Sequence, residues 1–413
     1  MVFLNTLIST NQWNSFPIGN TVVIWCINLV LIVSVLWYKH LFFHPKNKKD
    51  YLIVTLYFIW MLAGVLRGMF VAEGYWEWKQ WGSGSMALAL PIFVYVFSLP
   101  WLLHNVLKYW LKFALPLFFI FFLWALTTKA YHFYLGPVLL LSCFLPVIAS
   151  KKYVYIFLGL LLLMIFVDFG ARSQVIKALI AILMSISFLL TKFFSTRILK
   201  FGYWFFIATP VILLYLGLTG QFNIFQDLSS HEGKYVQTTV KNGKVVQDDL
   251  SADTRTFIYV EVIESALKHD YLLWGRTPTR GNDSVMFGEF TAEELKTGKY
   301  ERHANEVCFP NVFTWLGLVG LILYCFIYLK SSYLAIYKSR NRFMKLLGVY
   351  IAFRFAYGWV EDFNNLDIMS ISLWMMIAMG FSEKFRMMSD VEFTIWVKSI
   401  FGKRKKQVPT LSN

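Results

Sequence analysis

Five arginines of this chain could hold an anionic group. Arg172 and Arg354 lie in or beside long apolar runs, where a charge costs several kcal/mol unless it is paired or meets water. Arg255, Arg276 and Arg280 belong instead to a long polar segment. A planar guanidinium binds two phosphate oxygens at once, so the three arginines of the polar segment favour an anionic ligand such as a diphosphate, although charge in an aqueous segment usually means solvation.

Some of the charges in apolar surroundings also have a plainer explanation. Asp168 stands four residues before Arg172, a spacing at which the two charges neutralise each other on one helix. Glu361 follows Arg354 by two helical turns and could pair with it. Arg67 is near the end of its apolar run, from where its long side chain can reach the membrane surface. Both interpretations stay open for the pairs.

His303 and Glu306 are the candidate general bases, a few residues before an apolar run. A neutral imidazole suits proton transfer near pH 7, and Glu306 could either orient His303 or be the base itself. With His303 as the base, activity should rise with pH through about 6.5. None of the seven histidines shows the spacing of a zinc site, so no metal and no cofactor is expected.

The composition indicates what must position these residues. Of 413 residues, 57% are apolar and 15% are charged, well below the charged share of about 25% in soluble proteins. Apolar runs of about 20 residues predict membrane-spanning helices. We therefore expect an all-α polytopic membrane protein with about eleven transmembrane helices. The predicted spans are 21–38, 51–68, 86–104, 111–128, 134–150, 153–169, 174–191, 201–219, 310–329, 346–360 and 365–382.

Basic clusters set the expected orientation. Lys and Arg follow the first, third, fifth, seventh and ninth spans, and the chain ends in a basic tail. Because such clusters mark the cytoplasmic side, we expect the N-terminus outside and the C-terminus inside. The predicted organisation is residues 1–219 with eight spans, 220–309 as one large extracytoplasmic loop domain, 310–385 with three spans, and a cytoplasmic tail at 386–413.

The loop domain differs from the rest in charge. It holds 14 of the 24 acidic residues but 10 of the 39 basic ones, a charge of −4 against +19 elsewhere. The basic excess therefore reads as an orientation signal and lipid anchor, and no nucleic acid is expected as a partner. We predict a hairpin around Asn242-Gly243, a helix from Asp253 to about Lys268, and a short helix capped by Thr291 and Glu294 that ends at Gly298. The expected apolar face of the longer helix is Phe257, Val260, Ile263 and Leu267.

Three short motifs in this order resemble the O-antigen polymerase and O-antigen ligase superfamily of bacterial envelope polysaccharide assembly. Arg172-Ser173 follows the outer end of a span, and Asp253-Thr254-Arg255 leads into a helix and a Leu273-Trp274-Gly275-Arg276 turn. His303 precedes an apolar helix with Gly317-Leu318-Val319-Gly320. The family histidine falls on Glu306 without an insertion and on His303 with a small one, so both remain candidates. Glu361-Asp362 resembles an acidic position of some members.

The resemblance implies glycosyl transfer from an undecaprenyl-diphosphate-linked glycan to a sugar hydroxyl at the outer face of the bacterial inner membrane. It implies that Arg172, Arg255, Arg276, Arg280 and Arg354 bind the diphosphate. The expected partners are the lipid-linked glycan, a sugar acceptor, membrane lipids and a chain-length regulator.

We favour an O-antigen or capsule polymerase, with a ligase that transfers glycan to the lipid A core as the alternative. A flippase for the same lipid is the alternative of another class. Transporters usually have repeated halves and spans broken near the midplane, and the sequence indicates neither.

Overall fold

The structure, a computed structural model, describes residues 1–11, 14–127, 130–148, 150–167, 172–189, 195–218, 236–241, 244–249, 256–284, 287–294 and 296–402. These residues form helices and two small two-stranded sheets, β1–β2 and β3–β4. The expected all-α class is confirmed. The four strands are β1 (Val236–Lys241), β2 (Lys244–Asp249), β3 (Asn282–Asp283) and β4 (Glu301–Arg302).

Nineteen α-helices are found in these ranges, joined or extended in places by short 3₁₀ and π turns. They are α1 (Val2–Ile8), α2 (Thr21–Phe42), α3 (Leu52–Val71), α4 (Tyr75–Leu88), α5 (Phe93–Phe97), α6 (Pro100–Tyr109), α7 (Leu115–Leu117), α8 (Leu123–Ala125), α9 (Tyr131–Tyr134), α10 (Gly136–Ser142), α11 (Lys151–Phe166), α12 (Arg172–Leu189), α13 (Thr196–Leu218), α14 (Thr256–Lys268), α15 (Cys308–Tyr337), α16 (Arg342–Tyr357), α17 (Ile368–Phe381), α18 (Glu383–Met387) and α19 (Asp390–Phe401).

Six helical stretches in the described ranges are long and apolar enough to cross a membrane. They are Thr21–Phe42, Lys48–Val71, Tyr75–Phe97, Pro100–Ala125, Thr196–Leu216 and Cys308–Tyr337. Two shorter apolar helices, Gln174–Ser187 and Ile368–Phe381, accompany them. The chain is therefore a multi-pass helical membrane protein, and these stretches do not by themselves confirm a total of eleven spans.

The predicted span 134–150 is not one continuous helix. Its residues form α9, α10 and a 3₁₀ turn at Leu145–Val147. Pro137 lies in the first turn of α10 and Pro146 in the 3₁₀ turn. Proline lacks an N–H and is tolerated at the start of a helix, so each proline begins a new short element where apolarity alone suggested one helix.

The centre of the bundle is α15, which packs against α3, α16 and α17. Its small residues bring the helices close together. The Ser331 hydroxyl donates to the Ile377 carbonyl at 2.7 Å, and the Ser332 hydroxyl donates to the Gly348 carbonyl at 2.6 Å. Such contacts between helices are typical of membrane bundles, where close packing replaces the hydrophobic effect.

At the end of the bundle away from the loop domain, Asp50 joins three parts of the chain. A guanidinium nitrogen of Arg386 lies 2.9 Å from one Asp50 carboxylate oxygen, and Lys330 Nζ lies 4.0 Å from the other. Asp50 precedes α3, Lys330 belongs to α15 and Arg386 to α18. These ion pairs fix α3 and α15 at the same level at this end.

In the loop domain the predicted hairpin is confirmed by antiparallel pairing of Val240 with Val245, while its turn at 242–243 lies outside the described residues. The predicted apolar face of α14 is wrong. Its exposed side chains include Val260, Ile263 and Leu267, and its buried ones are Ile258, Val262, Ser265 and Ala266. The helix carries two apolar stripes, and the one with the smaller residues lets α14 approach β3 and α15 closely. The Phe257 side chain is outside the described set.

The short helix near residue 291 is a single π turn, Phe290–Glu294. Gly298 has a φ of 65° and its amide donates to the Ala292 carbonyl at 3.1 Å. The turn ends at Glu294, four residues before Gly298, and Thr291 lies inside the turn and not at its cap, so the predicted capping box and end point are wrong.

Candidate functional site

The helix α15 is broken at Gly317, and a loop fills the break. Gly317 has φ 68° and ψ −172° inside an otherwise helical run. Gly275, at the turn of the loop, has a φ of 69°. A Cβ on either glycine would collide with the backbone of the other segment, so the two chains approach as only glycine permits. The sequence analysis indicated no broken span, and this break corrects it.

Backbone hydrogen bonds join the loop to the two halves of α15. The Arg276 amide donates to the Thr314 carbonyl at 2.7 Å, and the Thr277 amide donates to the Trp315 carbonyl at 3.1 Å. Below the break, the Leu318 amide donates to the Leu272 carbonyl at 2.8 Å. These hydrogen bonds give partners to three backbone groups of α15 at the break, namely the carbonyls of Thr314 and Trp315 and the amide of Leu318. The two glycine motifs of the sequence thus lie in contact.

This anchored loop carries Arg276 and Arg280 into a group of charges that we call the loop cluster: Arg276, Arg280, Asp283 and Glu301. Arg280 Nε lies 2.9 Å and 3.1 Å from the two Glu301 carboxylate oxygens. Arg276 lies 3.2 Å from Glu301 and 3.1 Å from Asp283. Glu301, in β4, is nearly fully buried. Arg276 and Arg280, two of the five arginines predicted to bind a diphosphate, are thus already paired with carboxylates.

Glu301 is held ionised by these neighbours. Burial by itself raises the pKa of this carboxyl, but the hydrogen bond from Arg280 and the charges of both guanidiniums outweigh burial and leave the pKa below its usual value. The Gly281 amide also donates to Glu301, at 3.3 Å. A buried carboxylate with several donors is a fixed structural charge at this place.

His303 follows Glu301 by two residues, beside the loop cluster. Its Nδ1 is buried and has no hydrogen-bond partner among the described residues. Burial lowers the pKa of His303 to about 4, although the carboxylates of Glu301 and Glu77 act in the opposite direction. The imidazole is therefore neutral at pH 7, as a general base must be, and the expected inflection near pH 6.5 moves downward. The His303 backbone is fixed by Trp315, whose Nε1 donates to the His303 carbonyl at 3.2 Å.

The other candidate base, Glu306, has different surroundings. Its side chain is 60% exposed, and one carboxylate oxygen lies 3.5 Å from Arg302. The Arg302 guanidinium stacks 4.0 Å above the Phe287 ring. Glu306 is therefore exposed and lies near the cation four residues before it, and in this structure it does not hydrogen bond to the Nδ1 of His303.

A chain of buried amides begins two residues after His303. The Asn305 side chain donates to Asn282 Oδ1 at 2.8 Å, and its backbone amide donates to Asn311 Oδ1 at 2.6 Å. Asn311 also lies within hydrogen-bonding reach of Asp362, whose pKa is raised to about 7 by burial. These contacts connect the His303 segment with the segment between α16 and α17.

The segment between α16 and α17 leads to a second group of charges, the helix cluster: Lys177, Arg354 and Glu361. Lys177 Nζ lies 2.6 Å from Glu361, and the Lys177 side chain is fully buried. Arg354 is also buried and stacks 5.0 Å from the Phe363 ring. Its side chain interacts with Tyr350, while its Nε has no hydrogen-bond partner in the part of the chain that the structure describes. Glu361, which the sequence offered as a partner for Arg354, thus has an ion pair with Lys177.

The side chains of two predicted diphosphate ligands lie outside the part of the chain that the structure describes. Arg172 begins α12, and its side chain lies outside the described set together with Asp168. Arg255 lies outside the described residues. Arg67 donates to the carbonyls of Trp274 and Gly275, at 3.0 Å and 3.4 Å, so it holds the loop.

Sequence reasoning missed Glu301 and the amide chain. Glu301 looks like an ordinary charge of an aqueous loop until its partners are known. Asn311 carries a usable signal, because it is a polar amide inside the predicted span 310–329. A buried amide needs partners, so its position alone marks a polar network at the start of α15.

The chain matches no protein-family model, no curated protein and no solved structure.

Proposed function

We propose that this chain is a membrane glycosyltransferase that polymerises undecaprenyl-diphosphate-linked oligosaccharide repeat units, as an O-antigen or capsule polymerase does. In this proposal the chain has eleven spans in the bacterial inner membrane. Its loop domain and N-terminus face the periplasm and its C-terminus faces the cytoplasm. The donor is a lipid-linked glycan, the acceptor is a sugar hydroxyl, and a chain-length regulator is the expected protein partner.

The observation that carries the proposal is the state of His303. Its ring is neutral at physiological pH, and a buried ring nitrogen has no partner within the described chain. Such a nitrogen can accept a proton from an acceptor hydroxyl. The hydroxyl oxygen then bonds to the anomeric carbon as the bond from that carbon to the phosphate oxygen breaks. The electron pair leaves with the lipid diphosphate, and a single displacement inverts the anomeric configuration.

The leaving diphosphate needs cations that are free to receive it. Arg354 offers a guanidinium nitrogen without a hydrogen-bond partner, and Arg172 and Arg255 are assigned to the same role by the motifs. Arg276 and Arg280 are engaged by Glu301, so we now assign them to fixing the His303 segment. Glu306 is the alternative base, and its exposure makes it the weaker candidate.

Two other functions remain alternatives. An O-antigen ligase would use the same donor and base but transfer the glycan to the lipid A core. A flippase would move the lipid without making a bond, and broken spans are typical of transporters. An open break in α15 would support a flippase. The backbone of the loop fills this break, so the support is weaker.

Purified protein in vesicles, given lipid-linked repeat units, distinguishes the three functions. A polymerase forms products of two or more repeats without added metal or nucleotide sugar. Product that forms only when lipid A core is added would identify a ligase. Passage of the lipid across the bilayer with no new glycosidic bond would identify a flippase, and polymer formed equally well by His303→Ala would refute the assignment of the base.

Orientation is tested separately with single cysteines at two exposed positions. Lys268→Cys lies on α14 and Asn47→Cys lies before α3. An impermeant thiol reagent should label Lys268→Cys and not Asn47→Cys in spheroplasts. The opposite pattern would invert the proposed topology.

A further inference from the structure

The turn between α14 and β3 carries three exposed apolar side chains, Leu272, Leu273 and Trp274. Trp274 stacks on Trp60 of α3, with the ring centroids 4.6 Å apart and the planes at 20°. A turn of an extracytoplasmic domain would ordinarily carry polar side chains. This turn instead contacts the middle of a spanning helix, so its depth in the membrane has to be established.

One ruler for this depth is α15. Lys330 Nζ is 4.0 Å from Asp50, and the apolar part of α3 begins at Leu52, so this level marks one boundary of the hydrocarbon. Gly317 lies thirteen residues from Lys330, which is about 20 Å along a helix. Because Gly275 contacts Gly317, it lies at the same height.

A second ruler is α3. Gly68 is eighteen residues beyond Asp50, about 27 Å along the helix, and its carbonyl accepts the Thr279 hydroxyl at 2.8 Å. Thr279 is therefore near the far boundary of a hydrocarbon core of about 30 Å. Gly275 comes earlier in the loop and contacts Gly317, whose neighbour Leu316 lies against Gly64 of α3. Gly64 is fourteen residues beyond Asp50, about 21 Å along the helix. The two rulers agree that the turn lies about 10 Å inside that boundary.

Non-helical backbone is tolerated at such a depth only if the protein satisfies its polar groups. Here a large share of these groups have partners, including the Gly275 amide, which donates to the Tyr271 carbonyl at 2.8 Å. The amides of Arg276 and Thr277 donate to α15, the Leu272 carbonyl accepts from α15, and Arg67 donates to two further carbonyls. The glycine pair thus lets the turn exist inside the bilayer.

The side chains of the turn lie at the height of exposed apolar residues on α3. Ile59, Leu62 and Leu66 are nine to sixteen residues beyond Asp50, and each has half or more of its side chain uncovered by protein. Trp274 and Leu273 are exposed to a similar extent, 55% and 56%.

We infer that residues 271–276 form a re-entrant turn whose Leu272, Leu273 and Trp274 contact the acyl chains of the bilayer leaflet on the side of the loop domain. The turn places the loop cluster and His303 at the membrane surface, where a lipid-linked molecule would present its head group. The inference holds whichever reaction the protein catalyses.

Spin labels at single cysteines test this position in phospholipid vesicles. Cys26 and Cys325 are first replaced by Ala, since they are not fully buried. The labelled variants are Leu273→Cys, Leu62→Cys as the lipid-facing control on α3, and Lys268→Cys as the aqueous control. Collision rates are measured with molecular oxygen, which concentrates in the bilayer, and with a water-soluble nickel chelate.

We expect oxygen to dominate at Leu273→Cys and Leu62→Cys, and the nickel chelate to dominate at Lys268→Cys. A nickel-dominated label at Leu273→Cys would overturn the inference. Leu272→Cys repeats the measurement at a neighbouring position if the first variant does not fold. The same pattern in a His303→Ala background would show that the turn's position is independent of activity.

Discussion

The loop cluster and the helix cluster satisfy their charges in different ways. In the loop cluster, Glu301 receives two guanidiniums and a backbone amide, so a short loop and β4 are held by one carboxylate. In the helix cluster, fully buried Lys177 has a 2.6 Å ion pair with Glu361, and the Nε of neighbouring Arg354 has no hydrogen-bond partner within the described ranges. The first arrangement fixes a backbone, and the second buries two cations between helices, where Arg354 interacts with Tyr350, Glu361 and the Phe363 ring.

The difference explains where a reacting group can be found in each region. Beside the loop cluster the free group is neutral His303, because the charges around it are already paired. In the helix cluster the unused hydrogen-bond donor is the Nε of Arg354, whose guanidinium also interacts with Tyr350 and Glu361. A transferase needs one of each kind, a base for the acceptor and a cation for the leaving group.

The largest expected effect is on turnover and concerns His303. His303→Ala should lower polymer formation by about 10²–10⁴-fold, the usual contribution of a general base, while bound donor lipid is retained. Because the pKa of His303 is about 4, protonation removes the base only when the pH falls through that value. Wild-type turnover should therefore show no inflection near pH 6.5 between pH 8 and about 5. An inflection there that disappears in His303→Ala would show that the imidazole is not desolvated.

Sequence reasoning did best in the helix cluster. Arg354 and Glu361 stood out because charges in apolar runs are costly, and the structure pairs Glu361 with Lys177. In the loop cluster Glu301 was missed, since its partner Arg280 is 21 residues away and a loop charge is ordinarily solvated. The motif glycines Gly275 and Gly317 were found separately. Their contact depends on how a loop folds back on a spanning helix, which local patterns do not encode.

The next effect is on stability and concerns Glu361. Glu361→Gln leaves Lys177 as a buried charge without its ion pair, which should cost about 3–5 kcal/mol of unfolding free energy. Thermal unfolding in detergent measures the loss. The double variant Lys177→Met with Glu361→Gln removes both charges and should recover part of it. A double variant less stable than Glu361→Gln would mean that Lys177 has other stabilising partners.

A smaller effect is expected in the loop cluster. Glu301→Gln keeps the size of the side chain but removes the charge that two arginines share, and should cost about 1–3 kcal/mol. The pKa of Glu301 is lowered in the folded protein, so its contribution is present above the unfolded value and lost as the pH falls through the folded value. The stability difference from wild type should therefore shrink below about pH 4. A difference that stays constant at acid pH would show that the carboxylate charge does not matter there.

The smallest expected effect is that of Glu306→Gln, and it decides between the two candidate bases. The Glu306 side chain is 60% exposed and its contact with Arg302 is 3.5 Å long, so its removal should change stability by about 0–1 kcal/mol. Turnover should stay within a few-fold of wild type, because a water-exposed carboxylate that is not hydrogen bonded to His303 neither positions the ring nor replaces it. Assays of Glu306→Gln and His303→Ala in the same vesicles give the comparison. If Glu306→Gln is inactive and His303→Ala retains turnover, the base lies on the exposed side of the segment, and the buried imidazole serves only to pack the loop.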